Sequence, residues 1–521
     1  MLATATYGPV SDTSANMRLD RFLAGDADEV SGEYQGYDRF GRVRRHRWWW
    51  ADVENNTNDT TLPTSPPLFA MAHDYDKASN RLTAYDARPK VDDGNAATVF
   101  PRDFQYSYDG LDRLTEALRG EWDGSSFNEF DESSRPTGFG SERITPSEAW
   151  ELDLLGNWNA RIQDEDGDGP DGASPDIDAD RTHNSANELT NVDPDGAATT
   201  LEHPMTYDKA GNLRNRGTSG PTLGGMTPLN IRFTHDAWNR LVKVEIETQL
   251  LGYTTRGEYR YNGLNWRVGK LADTDNDGAL DEQRLIYYTA NWQIAEERVT
   301  DRSTWSWDPS TGIDRYVQYI WGPRYIDDLI ARRVKDENDG DTGVYDEILY
   351  HLTDAMFSTR VVADNAMNIK ERISYDAYGE ARHSWQGDVD GDGDVDPVDA
   401  NRIAQLLGKP TTPVAIHDAA YEVQADLNAD GVIDSDDEDL TDTIRAALGN
   451  GELSSTGNVI GWDGYVFNPE LQHYIVRHRH YSPEWGRWLQ RDPAGYIEDL
   501  NLYQYAALSP IMRSDRAGLK S

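Results

Sequence analysis

The chain has 521 residues, a formal net charge of -42, 27 Tyr, 16 Trp and no Cys. The missing cysteines exclude disulfides, thiolate metal sites and thiol nucleophiles, and a polyanion of this size is repelled by nucleic acid and by anionic lipid. Mean hydropathy is -0.76, no run of about 18 apolar residues occurs, so no transmembrane helix is expected, and the length predicts two to four domains.

Residues 1–30 carry no clear pattern. The stretch Met1–Gly8 lacks the charged start and apolar middle of a signal peptide, so either the start lies upstream or export takes another route. From residue 31 to 385 a degenerate unit recurs: an aromatic, an Asp, two or three variable residues, Gly or Asn, then a basic or apolar residue. Copies begin at Tyr37-Asp38, Tyr75-Asp76, Tyr108-Asp109, Tyr207-Asp208, His235-Asp236, Tyr261-Asn262 and Tyr375-Asp376. Asp and Asn bond their own backbone in turns, and Gly or Asn accepts positive φ. The flanks alternate in polarity, as in Ile231-Arg-Phe233-Thr-His235, which is the period of a half-buried strand. Each copy therefore predicts a hairpin, with the aromatic packing on the neighbouring strand, and the run predicts one continuous antiparallel sheet. Trp48-Trp49-Trp50 reads as an aromatic strand in the wall of that sheet.

The repeated unit resembles the YD-repeat (Rhs) family. The resemblance implies a mainly β fold in which the antiparallel sheet spirals into a hollow shell. Shells of the family use more repeats, so a partial shell is expected here. Acidic loops interrupt the repeats. Asp273-Thr-Asp275-Asn-Asp277-Gly278-Ala-Leu280-Asp281 suits a third calcium ion on a hairpin tip, with Arg284 against it at the last ligand position. Asp164–Gly169 and Asp336–Gly340 keep less of the pattern and read as solvated loops by default.

Residues 386–450 hold roughly -13 of the net charge and two copies of a calcium-loop pattern, 38 residues apart. Expected ligands are Asp388, Asp390, Asp392, Asp394 and Asp399 in the first, and Asp426, Asn428, Asp430, Val432 and Asp437 in the second, Val432 through its carbonyl. Oxygen ligands at loop positions 1, 3, 5, 7 and 12, with Gly at 6, suit a hard cation. A helix-compatible spacing follows each loop, at Ile403, Leu406, Leu407 and at Leu440, Ile444, Leu448. The pair resembles dockerin. That implies a small α-helical, EF-hand-like module with two calcium ions, a cohesin-like partner, and a place in polysaccharide-degrading assemblies. A calcium-stiffened spacer or adhesion knob fits the internal position equally.

Residues 451–521 resemble the Rhs-associated core, from Gly461-Trp462-Asp463-Gly464 through Trp485-Gly486-Arg487-Trp488 to Asp492-Pro493-Ala-Gly495 and Ser509-Pro510. An upstream part, Tyr350 to Gly379, is separated from it by the calcium-loop pair, so 386–450 reads as an insertion in a connecting loop. In toxin-carrying relatives two aspartates, 23 positions apart, are implicated in cutting the chain, and their counterparts here are Asp492 and Asp515. Two close carboxylates sharing a proton suit such chemistry, with Arg491 expected to hold one ionised. Arg516 replaces the Pro of the second motif, and only Lys520 and Ser521 follow Leu519. The alternative is that both aspartates cap turns. His478 and His480 alternate and are expected to share one strand face.

Taken together the residues predict a secreted or cell-surface structural and interaction protein, acting in contact, carbohydrate binding or as a shell scaffold. The alternatives are a self-cleaving aspartyl peptidase of a toxin-delivery shell and a dockerin-mediated component of a polysaccharide-degrading assembly. Expected partners are a carbohydrate, a cell-surface protein or a cohesin-like protein.

Overall fold

The computed structural model describes residues 42–51, 69–86, 103–122, 127–129, 147–164, 177–193, 203–217, 230–248, 252–274, 277–306, 312–337, 347–365, 369–385, 456–497 and 500–519, residues 40 and 454, and four short strands, 4–7, 16–20, 414–415 and 432–433. Among these, 26 strands join one antiparallel sheet. Nearly every strand pairs with its neighbours in sequence, as Asn230–His235 does with Leu241–Thr248 and Leu241–Thr248 with Gly252–Tyr261. Strands Thr4–Tyr7 and Asn16–Asp20, from the stretch without a clear pattern, extend the same sheet. The protein is mainly β, as expected.

The turns explain why these residues form hairpins. The Asp109 carboxylate accepts the backbone N–H of Leu111 (2.9 Å) and of Arg113 (3.0 Å), while the Asp109 N–H donates to the Arg113 carbonyl. The third residue after the aspartate adopts positive φ, 59° at Asp112 and 61° at Asn239. The same bonds recur at Asp153, Asn184, Asp208, Asp236, Asn262, Asp354 and Asp376. Consecutive turns are tied to each other as well. Asn212 Nδ2 donates to Asn239 Oδ1 at 3.0 Å, and Asn157 Nδ2 to Asn187 Oδ1 at 2.9 Å. The aromatic before the turn has a specific job. Tyr108 Oη donates to the Arg81 carbonyl, Tyr261 Oη to that of Leu241 and Tyr288 Oη to that of Arg267. In each case the acceptor opens the return strand of the preceding hairpin.

The sheet coils over its own beginning. Trp48 Nε1 donates to the Thr353 carbonyl at 2.9 Å. The rings of Trp150 and Trp158 meet that of Tyr378, centroids 5.0 and 4.5 Å apart. Arg161 joins this contact, bonding Glu148 at 2.7 Å and Asp376 at 3.3 Å, all three buried.

The C-terminal segment fills the inside of the coil. Four short strands, Val466–Asn468, His473–Val476, Arg479–Ser482 and Arg487–Trp488, form a small sheet. Its aromatics Trp462, Tyr465, Tyr474, Tyr481, Trp488 and Tyr505 form one buried cluster with Ile373 and Tyr375 of the coil. Trp485 and Leu489 join the buried face of strands 203–261, and Leu508 and Ile511 that of strands 81–158. Polar contacts follow the same path: Arg181 donates to the Trp485 carbonyl, Lys270 to Glu470 and Tyr503 Oη to the Gly211 carbonyl.

Candidate functional site

Asp492 and Asp515 do come together. What joins them is Arg479, whose Nη2 lies 3.1 Å from Asp492 Oδ2 and 2.9 Å from Asp515 Oδ2, with all three side chains almost fully buried. Arg479 also donates to the Gly518 carbonyl (2.6 Å) and stacks over the Trp488 ring at 4.1 Å. Burial pulls its guanidinium down to about 10, against the pull of the two aspartates. Each carboxylate also ties its own turn, Asp492 accepting the Ala494 N–H and Asp515 the Leu519 N–H. Arg491 is not the partner that its sequence position suggested. It reaches out to Glu188 (2.6 Å) and the Tyr503 hydroxyl. Arg491 faces Glu188 and Tyr503 of the surrounding structure while Asp492 faces Arg479.

A cavity of about 650 Å³ opens beside this cluster, bounded by Asp492, Arg479 and Leu519 on one side and by Trp238, Trp292 and Trp321 of the coil on the other. The histidines flanking Arg479 do not share a strand face. His478 sits in the turn between two strands, edge-on to Trp292, while His480 lies in the next strand and is buried. Burial pushes the His480 imidazole well below its ordinary value.

Two carboxylates of the loop Asp273–Asp281 have partners within the chain. Asp273 is buried against Arg256 (2.7 Å), and Asp281 bonds the backbone and hydroxyl of Thr274. Arg256 thus supplies the positive charge that a calcium ion would have brought. Asp275 lies outside the described residues. Among the described residues no group of three His, Asp or Glu side chains could hold a metal ion.

Nine of the ten expected calcium ligands, Asp388, Asp390, Asp392, Asp394, Asp399, Asp426, Asn428, Asp430 and Asp437, lie outside the described residues, as do the helices expected after each loop. Val432 is described: Val432–Ile433 pairs with Val414–Ala415. The flanks of the insertion are also described, and both meet Glu371. Trp385, at the end of strand Ala381–Trp385, sits opposite Glu371 in the sheet. Where the chain re-enters, Ser454 and Thr456 hydroxyls donate to Glu371 Oε2 at 2.6 and 2.9 Å.

Residues 386–440 match the dockerin type I domain. The match supports calcium binding and a cohesin-like partner for this segment, and it sits on the loop whose ends meet at Glu371. No curated protein matches the chain. Solved structures similar to it include TcdB2-TccC3-TEV (14% identity, 99% of this chain and 21% of that chain, TM-score 0.34), TcdB2-TccC3 (14%, 97% and 21%, 0.35) and the Photorhabdus luminescens Tc holotoxin pore (14%, 98% and 23%, 0.34). The chain spans about a fifth of the length of these solved chains.

Proposed function

We propose that the chain is a secreted or cell-surface structural and interaction protein: a partial YD-repeat (Rhs) shell that carries a two-calcium docking module on one of its loops, with a cohesin-like protein as partner. The observation that carries this reading is the dockerin type I match at 386–440, attached through residues that converge on Glu371. A module held at two adjacent points is free to be displayed without disturbing the sheet. Calcium supplies the module's folding, since carboxylates gathered at this density repel one another until a cation offsets them. Contact with carbohydrate, and membership of a polysaccharide-degrading assembly, follow if the cohesin is itself part of one.

The test is retention of the full chain on a panel of immobilised cohesins. Calcium-dependent retention, lost with chelator and in the Asp388→Ala/Asp426→Ala variant, is expected. Equal passage through every column with calcium present would sink the docking role.

A second reading rests on the meeting of Asp492 and Asp515: a self-cleaving site in which one carboxylate takes the proton of the attacking water and the other protonates the leaving amine. Arg479 weighs against it, because a guanidinium occupies the place of the proton that an aspartate dyad shares. Intact mass of the wild type and of Asp492→Asn, each carrying a reporter after Ser521, separates the readings. Release in the wild type alone supports cleavage, and an unbroken chain in both removes it.

A further inference from the structure

We propose that the coil holds an internal oxyanion site, centred on Arg267 and Asn468, in a cavity beneath the attachment of the insert. The cavity measures about 300 Å³, and its wall runs from strands 252–336 of the coil to the residues flanking the re-entry point, including Ser454 and Gly457.

Charge accounting within the wall identifies the site. Among the described residues five Arg and Lys side chains line it, and four of them have carboxylate partners. Arg256 pairs with Asp273 (2.7 Å), Lys270 with Glu470 (2.6 Å), Arg284 with Glu282 and Glu297 (2.6 and 3.1 Å), and Arg315 with Glu282 (2.9 Å). Arg267 is the fifth. It is buried at 6% exposure, and its polar partner is an amide oxygen, Asn468 Oδ1, at 2.9 Å. Among the described residues no carboxylate stands within ion-pair distance of it. Its Nε and the Nδ2 of Asn468, which is fully buried, are both donors without an acceptor. Two unanswered donors on adjoining side chains, one carrying a full charge, form a fork that accepts the oxygens of a carboxylate, sulfate or phosphate. The carboxylate whose charge Arg267 feels, Glu470, is already bonded by Lys270 and Tyr259, so the buried guanidinium is only partly compensated, and a bound anion would complete its compensation. The cavity is large enough for a small molecule bearing such a group.

Titration calorimetry on the full chain tests the proposal, with inorganic phosphate, sulfate and glucuronate as probes, glucose as the neutral control and ionic strength held constant with chloride. Saturable binding of at least one oxyanion is expected, with none for glucose. Phosphate or sulfate binding alone points to an ester or inorganic anion, and glucuronate binding alone to a sugar acid. Arg267→Gln is expected to weaken binding by at least about tenfold. Since that variant removes a buried charge and risks the fold, Asn468→Asp is the second arm. It places a carboxylate against Arg267, supplies the missing counter-charge from within the chain, and is expected to melt no lower than wild type while binding no oxyanion. Absence of saturable binding in the wild type, or unchanged binding in a folded Asn468→Asp chain, would overturn the site.

Discussion

Arg479 shows how much can rest on one side chain. It neutralises two buried carboxylates, bonds the Gly518 carbonyl and covers Trp488. Replacing it with Met keeps most of the packing but strands both aspartates. Arg479→Met is expected to lower stability by about 3–5 kcal/mol, the usual result of breaking a buried ion cluster from one side. Adding Asp492→Asn and Asp515→Asn should restore part of the loss, and chemical denaturation of the three chains measures both effects. Asp492 and Asp515 were legible in the sequence only through the resemblance of residues 451–521 to the Rhs-associated core. Arg479 was not, because nothing in a chain marks which of its arginines a hairpin will turn inward. Proximity in sequence favoured Arg491, which instead bonds Glu188 and Tyr503.

At the scale of the hairpin, the sequence showed the turn but not its purpose. Asp or Asn followed by Gly or Asn was enough to place six turns among the described residues, at Asp76, Asp109, Asp208, Asp236, Asn262 and Asp376; the copy at Tyr37-Asp38 lies outside them. Those at Asp153 and Asp354 escaped because Leu152 and Thr353 stand where the repeat has an aromatic, that at Asn184 because Glu188 stands where it has a basic or apolar residue, and that at Thr289 because Thr replaces the Asp. Their backbone bonds are nonetheless the same. The tyrosine reads in the sequence as packing, yet its hydroxyl bonds the preceding hairpin. A packing role alone predicts that Tyr261→Phe is nearly silent. The bond to the Leu241 carbonyl instead predicts a loss of about 1 kcal/mol. Amide hydrogen exchange should show that loss concentrated around residues 241–248, in the hairpin before the substitution.

For the molecule as a whole, the junction between successive coils is a titrating element. Burial, with the Glu148 and Glu380 carboxylates beside it, holds Asp376 well above the usual carboxylate range, Arg161 opposing; burial raises Glu148 as well. Both groups bind protons more tightly folded than unfolded. Their contribution to stability is therefore complete below the ordinary carboxylate range and declines as pH rises through the raised values. Thermal melts between about pH 5 and 9 should fall for the wild type and flatten for Asp376→Asn, which keeps the oxygen that ties the turn. The insert makes a contrasting case. Because its flanks meet at Glu371, replacing residues 387–452 with a short Gly-Ser link is expected to leave the melting of the coil within about 0.5 kcal/mol of wild type, while abolishing any response to chelator. The repeat and its hairpins were visible in the sequence, because they are written locally. Which hairpins meet across coils was not, since Trp48 and Thr353 lie 305 positions apart.

The filled interior has a consequence in time. The buried residues of strands 203 to 261 share one cluster with Trp485 and Leu489, which are made more than two hundred residues later. During synthesis the wall exists before the material it encloses, with its aromatic inner surface bare for the duration of some two hundred further peptide bonds, on the order of ten seconds or more at ribosomal speed. The tyrosine bonds between neighbouring hairpins need no interior, so they are what the growing ribbon has to keep its shape until residues 456–519 arrive to fill it.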